Sequence, residues 1–556
     1  MYKQVLDPVS HSLGVTSIFA ILPLLVLFVL LGVLRMKAHW ASLITLAVAI
    51  LVAVIVYSMP IGQAGDSALE GAAFGFWPIM WIVINALWIF NLTDATGHFA
   101  VLRRAFASVS DDPRVQVVVI AFCFGALLEA LAGFGTPAAI CGIMLVGLGL
   151  PPLQAAAVCL IADTAPVAFG AIAIPITTLG EVTGLPTHTL AQMVGRQTPF
   201  LALMVPFVLV FVIDGRRGLR HAWPAPLVAG FTFGVIQFAV SNYVNYQLTD
   251  IIASIVSAGA VVALTRVWTP SAGAPAGITS PGGPRPAIAG ASTTQPAFER
   301  RVRAEEGRPL RRSEVIEAFL PYIIITIVLG VISLNSVHDQ LVKSTTEFSW
   351  PGLHIFGATG KPPKSEIFKL DWFTAAGTGL LASGLLTVLA LRIRPGLALR
   401  TYFGTLNQIK WALLTVCSVL AIAYVMNFSG QTVTLGTWAA GAGGFFAFLS
   451  PLIGWFGTAV TGSDTSTNSL FGALQVTAAK HASLSPTLLA AANSSGGVLA
   501  KMVSPQNLAI GAAAVGLAGR EGDIFRRVIG WSVLLVLIMA VLVYLQSTSI
   551  LSWMVP

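Results

Sequence analysis

Apolar runs of about 17–25 residues recur along the whole chain, broken by short polar stretches, and a bilayer-spanning helix needs about 20 such residues. The runs are continuous, not alternating. A membrane β-barrel would instead show ~10-residue segments of alternating polarity. Spans are predicted near 16–34, 41–58, 71–92, 115–133, 153–174, 199–213, 225–244, 251–268, 316–334, 372–391, 411–428, 436–453, 485–500 and 528–546. The fold class that follows is an all-α polytopic membrane protein of roughly 12–14 transmembrane helices.

Composition agrees with that pattern. Hydrophobic residues make up 56% of the 556 and charged residues 10%, where a soluble protein carries roughly a quarter charged. The net charge of +8 is no sign of nucleic-acid binding, because Lys and Arg sit in short patches between apolar runs. These patches are Arg35/Lys37, Arg103/Arg104/Arg114, Arg216/Arg217/Arg220, Arg392/Arg394/Arg400 and Arg520/Arg526/Arg527, whereas the connections holding Asp66 and Glu70, or Asn242 to Asp250, carry none. The positive-inside bias then places both termini outside, on the periplasmic face. Lys3 before the first span and Arg35 and Lys37 after it have the charge order of an anchor, not of a cleaved secretory leader. Cys123, Cys141, Cys159 and Cys417 lie in apolar surroundings without C-x-x-C spacing and read as core residues, so no metal and no cofactor is expected.

Two stretches of the chain echo each other. Gly133-Phe134-Gly135-Thr136 matches Trp455-Phe456-Gly457-Thr458, and each is followed by a helix with a polar residue twelve positions before a proline: Asp163 and Pro175, then Asn493 and Pro505. The charge pattern gives the two stretches opposite orientations, the signature of an inverted-repeat secondary transporter with broken or re-entrant helices. The expected organisation is a first repeat at 1–222 with its core at 115–213. A connecting helix pair follows at 223–268. The Pro/Gly/Ala-rich segment 269–313 is a flexible cytoplasmic linker, with the basic run Arg300 to Arg312 a solvated face. The second repeat is 314–556, with an outer loop at 336–370 and its core at 436–546. Under superposition of the two cores Phe134 should fall near Phe456 and Asp163 near Asn493.

Glycine and proline interrupt four apolar segments: Gly133 to Pro137, Pro166 to Pro175, Gly454 to Gly462 and Gly496 to Pro505. Unsatisfied backbone persists in a bilayer only where it lines a cavity or is buried in protein, and N–H groups at a half-helix start suit an anion. Gly135 and Thr136 mark one such start. Charges inside spans are costly and usually face a pathway. Lys501, within the last break, is the counter-charge for an anionic substrate. Glu129, Asp163 and Asp464 are candidate proton carriers, one of which could instead pair with Lys501. The run Thr461 to Asn468, with Ser463, Thr465 and Ser466, supplies a hydroxyl-rich lining, matched by Asn493, Ser494 and Ser495. Arg196 reads as interfacial.

The segments Glu129 to Pro137, Thr461 to Phe471 and Ala492 to Pro505 together resemble the L-lactate permease family, and the likeness in plan extends over nearly the whole chain. The linker at 269–296 and the loop at 336–370 depart from it. The resemblance implies a bacterial inner-membrane carrier that imports lactate, glycolate or related 2-hydroxy monocarboxylates with protons. On that reading Lys501 and the half-helix starts hold the carboxylate, hydroxyls from Ser463 to Thr467 read the 2-OH, and Asp163 is the first choice for the proton, with Asp464 ordering the binding loop. A sodium-coupled carrier of a small organic anion, using broken-helix carbonyls with Asp464 or Asn493, is the alternative. An intramembrane aspartyl hydrolase using Asp163 and Asp464 is a distant one. The residues leave open whether the protein is a homo-oligomer.

Overall fold

The computed structural model describes residues 2–34, 36–133, 135–270, 311–332, 334–357 and 367–556. Among them, eleven helices are long and apolar enough to cross a membrane. A twelfth is counted if Pro152–Ala162 and Val167–Thr183, which meet at a 63° bend, form one broken span. The all-α polytopic reading therefore holds. Large apolar side chains such as Ile55, Val267 and Leu389 stand 72–85% exposed, a surface suited to lipid.

Two helices occupy the centre of the bundle. Pro113–Leu131 is buried along its whole apolar window, with Cys123 against Ser257 (3.4 Å) and Phe122 against Phe233. Pro486–Gly497 is buried from Leu488 onward. Small residues let its neighbour Phe446–Thr461 approach closely, since a Cβ on Gly454 would strike the Asn493 carbonyl and one on Gly496 the Pro451 carbonyl.

Three of the four expected breaks are present. Helix Gly125–Leu131 ends before Gly133 and Gly135, both with positive φ, and Thr136–Gly147 begins there. After Asp163 come a 3₁₀ turn, Val167–Phe169, and three left-handed residues, Ala171 to Ala173, before the helix settles toward Thr183. Pro486–Gly497 passes into the 3₁₀ turn Val498–Val503, and Pro505–Ala514 starts anew. The fourth expectation is corrected: Gly454 to Thr461 is continuous helix, and the break is confined to Gly462, φ 75°, before Asp464–His481. Gly454 serves close packing instead. Gly457 and Thr458 thus lie within a helix whereas Gly135 and Thr136 lie at a turn, and Phe134 falls outside the described residues.

A second correction concerns Asp66 and Glu70, expected in a connection. Both belong to helix Ile61–Phe74, where Glu70 is fully buried. Most of the 269–313 linker lies outside the described residues. The 336–370 loop carries strand Thr346–Ser349 antiparallel to Ile367–Leu370. Its strand Ile355–Phe356 pairs in parallel with Tyr2–Lys3. The Tyr2 hydroxyl donates to the Ser429 carbonyl at 2.8 Å, and Trp77 Nε1 donates to Asp371 Oδ1 at 2.9 Å, so the loop and the first strand are fastened to the bundle.

Candidate functional site

The three breaks and Gly462 converge on a cavity of about 130 Å³. It suits a ligand of a few heavy atoms, since drug-sized ligands need roughly 300–1,000 Å³. Glu129, Gly170, Ser463, Thr465, Lys501 and Asn507 are among its lining residues. Gly170 and the first turns of Asp464–His481 and Pro505–Ala514 border it, and the partial positive charge of helix N-terminal N–H groups favours an anion there. The remaining wall comes from Ala412, Thr415 and Val416 of helix Pro395–Ser429 and from Ala38.

Lys501 sits on the 3₁₀ turn at one side of the cavity, 5% exposed. Its Nζ donates to Glu129 Oε1 at 2.6 Å and lies 3.0 Å from Asp163 Oδ2. Glu129 ends the central helix, and Asp163 caps Pro152–Ala162. Three breaks in the chain therefore bring one ammonium between two carboxylates in a water-poor interior. Among the described residues, Glu129 Oε2 and Asp163 Oδ1 have no hydrogen-bond partner. A Cβ on Gly170 would come 2.7 Å from Glu129 Oε1, so glycine here lets the backbone rest against that carboxylate.

The hydroxyl-rich run divides into two groups. Ser463, Thr465 and Ser466 line the cavity, with Ser463 Oγ capping its helix by accepting from Ser466 N at 3.3 Å. Asp464 also lines it but is held from behind: Ser494 Oγ donates to its Oδ2 at 2.6 Å and Asn468 Nδ2 at 3.4 Å. Asn493 and Ser495 lie behind the wall too. Asn493 Nδ2 donates to Asn468 Oδ1 (2.8 Å) and its Oδ1 accepts from Gln475 (3.2 Å), while Ser495 donates to Gln197 Oε1 (2.7 Å). Gly135 shapes a turn against Ile510 and Asn507, with Thr136 next to it at the start of Thr136–Gly147. Arg196 donates to Asn242 Oδ1 at 2.9 Å and to the Met554 carbonyl at 3.0 Å, away from the cavity.

Sequence reasoning missed two participants. Asn507 and Gln506 line the cavity, Asn507 Nδ2 donating to the Gly462 carbonyl at 3.2 Å. Their signal was available, as amides within two residues of Pro505. Asn468, the last residue of the polar run, ties the two halves of the chain, donating to the Pro175 carbonyl at 3.1 Å.

The family model described as L-lactate permease matches residues 16–550. The chain is 39% identical to the glycolate permease GlcA of Escherichia coli K12, with 96% of each chain covered. It is 38% identical to the L-lactate permeases of Escherichia coli K12 and of Bacillus subtilis 168, over 100% of each chain. Among solved structures, the Neisseria gonorrhoeae protein MtrF aligns with a TM-score of 0.46 at 12% identity, covering 86% of this chain and 83% of that one. With a family match across nearly its full length and full-length relatives named as permeases, not enzymes, the chain belongs to the L-lactate permease family.

Proposed function

We propose that the protein imports L-lactate and related 2-hydroxy monocarboxylates such as glycolate together with protons, as a secondary transporter of the inner membrane with both termini periplasmic. The single observation that carries this reading is Lys501 held between Glu129 and Asp163 on the wall of a small cavity bordered by broken helices. The full-length likeness to lactate and glycolate permeases supports the substrate class.

The coupling follows from charge. One ammonium facing two carboxylates leaves an excess of one negative charge. Adding a substrate carboxylate brings another like charge into the same interior, and two such charges ~4 Å apart repel by ~4 kcal/mol at an effective dielectric of ~20. A proton on Glu129 or Asp163 removes that repulsion and frees an N–H of Lys501 for the substrate. Anion and proton therefore assist each other's binding, which is what symport requires. Asp163 remains our first choice for the proton, with Glu129 as its partner. Ser463, Thr465 and Ser466 face the substrate hydroxyl. Asp464, tied to Ser494 and Asn468, orders the helix that carries them. In this reading the matched order of helix, break and helix in 115–213 and 436–546 reflects an inverted repeat.

The test is counterflow of labelled L-lactate in liposomes, with competing acids and an imposed proton or sodium gradient. Accumulation driven by an acidic exterior without sodium is expected; dependence on sodium alone would overturn proton coupling.

A further inference from the structure

A groove of about 550 Å³ runs over the outer surface of the bundle, between helices Thr187–Ala222 and Pro224–Tyr243. Its floor comes from close backbone packing. A Cβ on Gly230 would come 2.6 Å from the Ala202 carbonyl oxygen, and one on Gly234 3.2 Å from that of Pro199. Its walls are Phe200 and Leu203 on one helix and Phe231, Val235 and Phe238 on the other, all 36–61% exposed. These positions recur at three- or four-residue spacing, so each wall follows its helix axis, and the slot extends roughly 10 Å from Phe231 to Phe238.

Arg196, half-buried, closes one end of the slot. Its Nε donates to Asn242 Oδ1 at 2.9 Å and its Nη1 to the Met554 carbonyl at 3.0 Å, both neutral acceptors. Among the described residues no carboxylate pairs with it, and its Nη2 has no partner. Tyr243 and Trp553 stand at the same end, each 74% exposed, and such amphipathic rings settle at the level of lipid headgroups. An unpaired cation at the mouth of an apolar slot calls for an anion joined to hydrocarbon, and the Arg fork matches phosphate geometry. A second copy of this chain is a poor occupant. Pairing the groove with itself would bring two unpaired Arg196 cations into one interface.

We propose that this groove seats one phospholipid of net negative charge, with its phosphate on Arg196 and an acyl chain in the slot between Phe200 and Phe231. The residue after Arg196 is Gln197, whose Oε1 accepts from Ser495 of the central helix Pro486–Gly497 at 2.7 Å. The lipid therefore braces a helix that supports the wall behind the transport cavity. The site is independent of how transport is coupled.

The full-length protein in detergent is titrated with dioleoyl phosphatidylglycerol or dioleoyl phosphatidylcholine, and bound lipid is counted by native mass spectrometry. The first phosphatidylglycerol should bind about fivefold more tightly than the first phosphatidylcholine, the size expected of one Arg near a lipid surface. Arg196→Gln should abolish that preference. Val235→Trp fills the slot from an exposed position that folding tolerates and leaves Arg196 in place. It should weaken phosphatidylglycerol binding by a similar factor. Wild-type binding without preference would overturn the proposal, as would a preference that survives Arg196→Gln or binding untouched by Val235→Trp. Displacement of the lipid by equimolar inorganic phosphate would also overturn it, reducing the groove to an anion site. So would a stable dimer that Val235→Trp dissociates, because the occupant would then be a second copy.

Discussion

Lys501 Nζ and Glu129 Oε1 meet at 2.6 Å although 372 residues separate them in the chain. Neither residue sits on a regular stretch of helix interior: one is on a 3₁₀ turn, the other on the last turn before Gly133. The contact is made by interruptions, and so depends on the tertiary fit of two distant segments.

Removing the ammonium should be severe. Truncating one partner of a buried charge pair costs roughly 2–5 kcal/mol, and here it leaves two acids unbalanced. Lys501→Ala is expected to weaken L-lactate binding by about 30-fold or more, read by calorimetry on protein whose folding is checked by size exclusion. Lys501→Arg should also be impaired, because a planar fork does not fit where a compact ammonium bridges two carboxylates.

Asp163→Asn imitates a permanently protonated acid. It should retain lactate exchange and lose accumulation driven by a pH gradient, measured side by side in liposomes. If the variant still concentrates lactate, the proton travels on Glu129 alone.

Ser494→Ala separates order from coupling. It removes a 2.6 Å donor from Asp464, a loss of about 1–3 kcal/mol at a buried acceptor. Lower apparent affinity with an unchanged ratio of protons to lactate is expected from parallel flux measurements.

Gly170→Ala tests the packing of helix start on acid. The added methyl meets Glu129 Oε1, and such overpacking costs typically ~1–3 kcal/mol. Transport should drop while the far side of the bundle is intact, as followed by thermal melting.

Asp371 lies outside the membrane spans, and burial raises its carboxyl above the ordinary range, opposed by the Trp77 indole hydrogen bond. The folded state therefore favours the protonated form. Its contribution is complete below the ordinary carboxyl pKa and is lost as pH rises through the raised folded value. Asp371→Asn should flatten the fall in melting temperature with rising pH and be the more stable of the two near neutrality.

Much of this site was legible in the sequence because it violates the apolar background. Lys501, Glu129 and Asp163 are charges in spans, and Gly133, Pro166 and Gly496 announce three of the breaks. What stayed hidden depends on neighbours that periodicity does not reveal. Gly454 looks like a helix breaker but admits the Asn493 backbone. Asn493, Ser494 and Ser495 look like lining, yet their side chains satisfy Asn468, Asp464 and Gln197 behind the wall. Glu70 and Asp66 look like loop acids because nothing in their spacing shows that Ile61–Phe74 continues as helix.

The pairing of Tyr2–Lys3 with Ile355–Phe356 sets a timetable for biogenesis. The first strand's partner emerges about 350 residues later, which at ~5–20 residues per second takes roughly 20–70 s. The Tyr2 hydroxyl waits longer still, for Ser429, and several hydrophobic helices are inserted between them. The segment Tyr2–Lys3 is thus among the last parts to reach its final place, and a bulky insertion beside Tyr2 would obstruct the closing step of assembly, long after the first helix is in the bilayer.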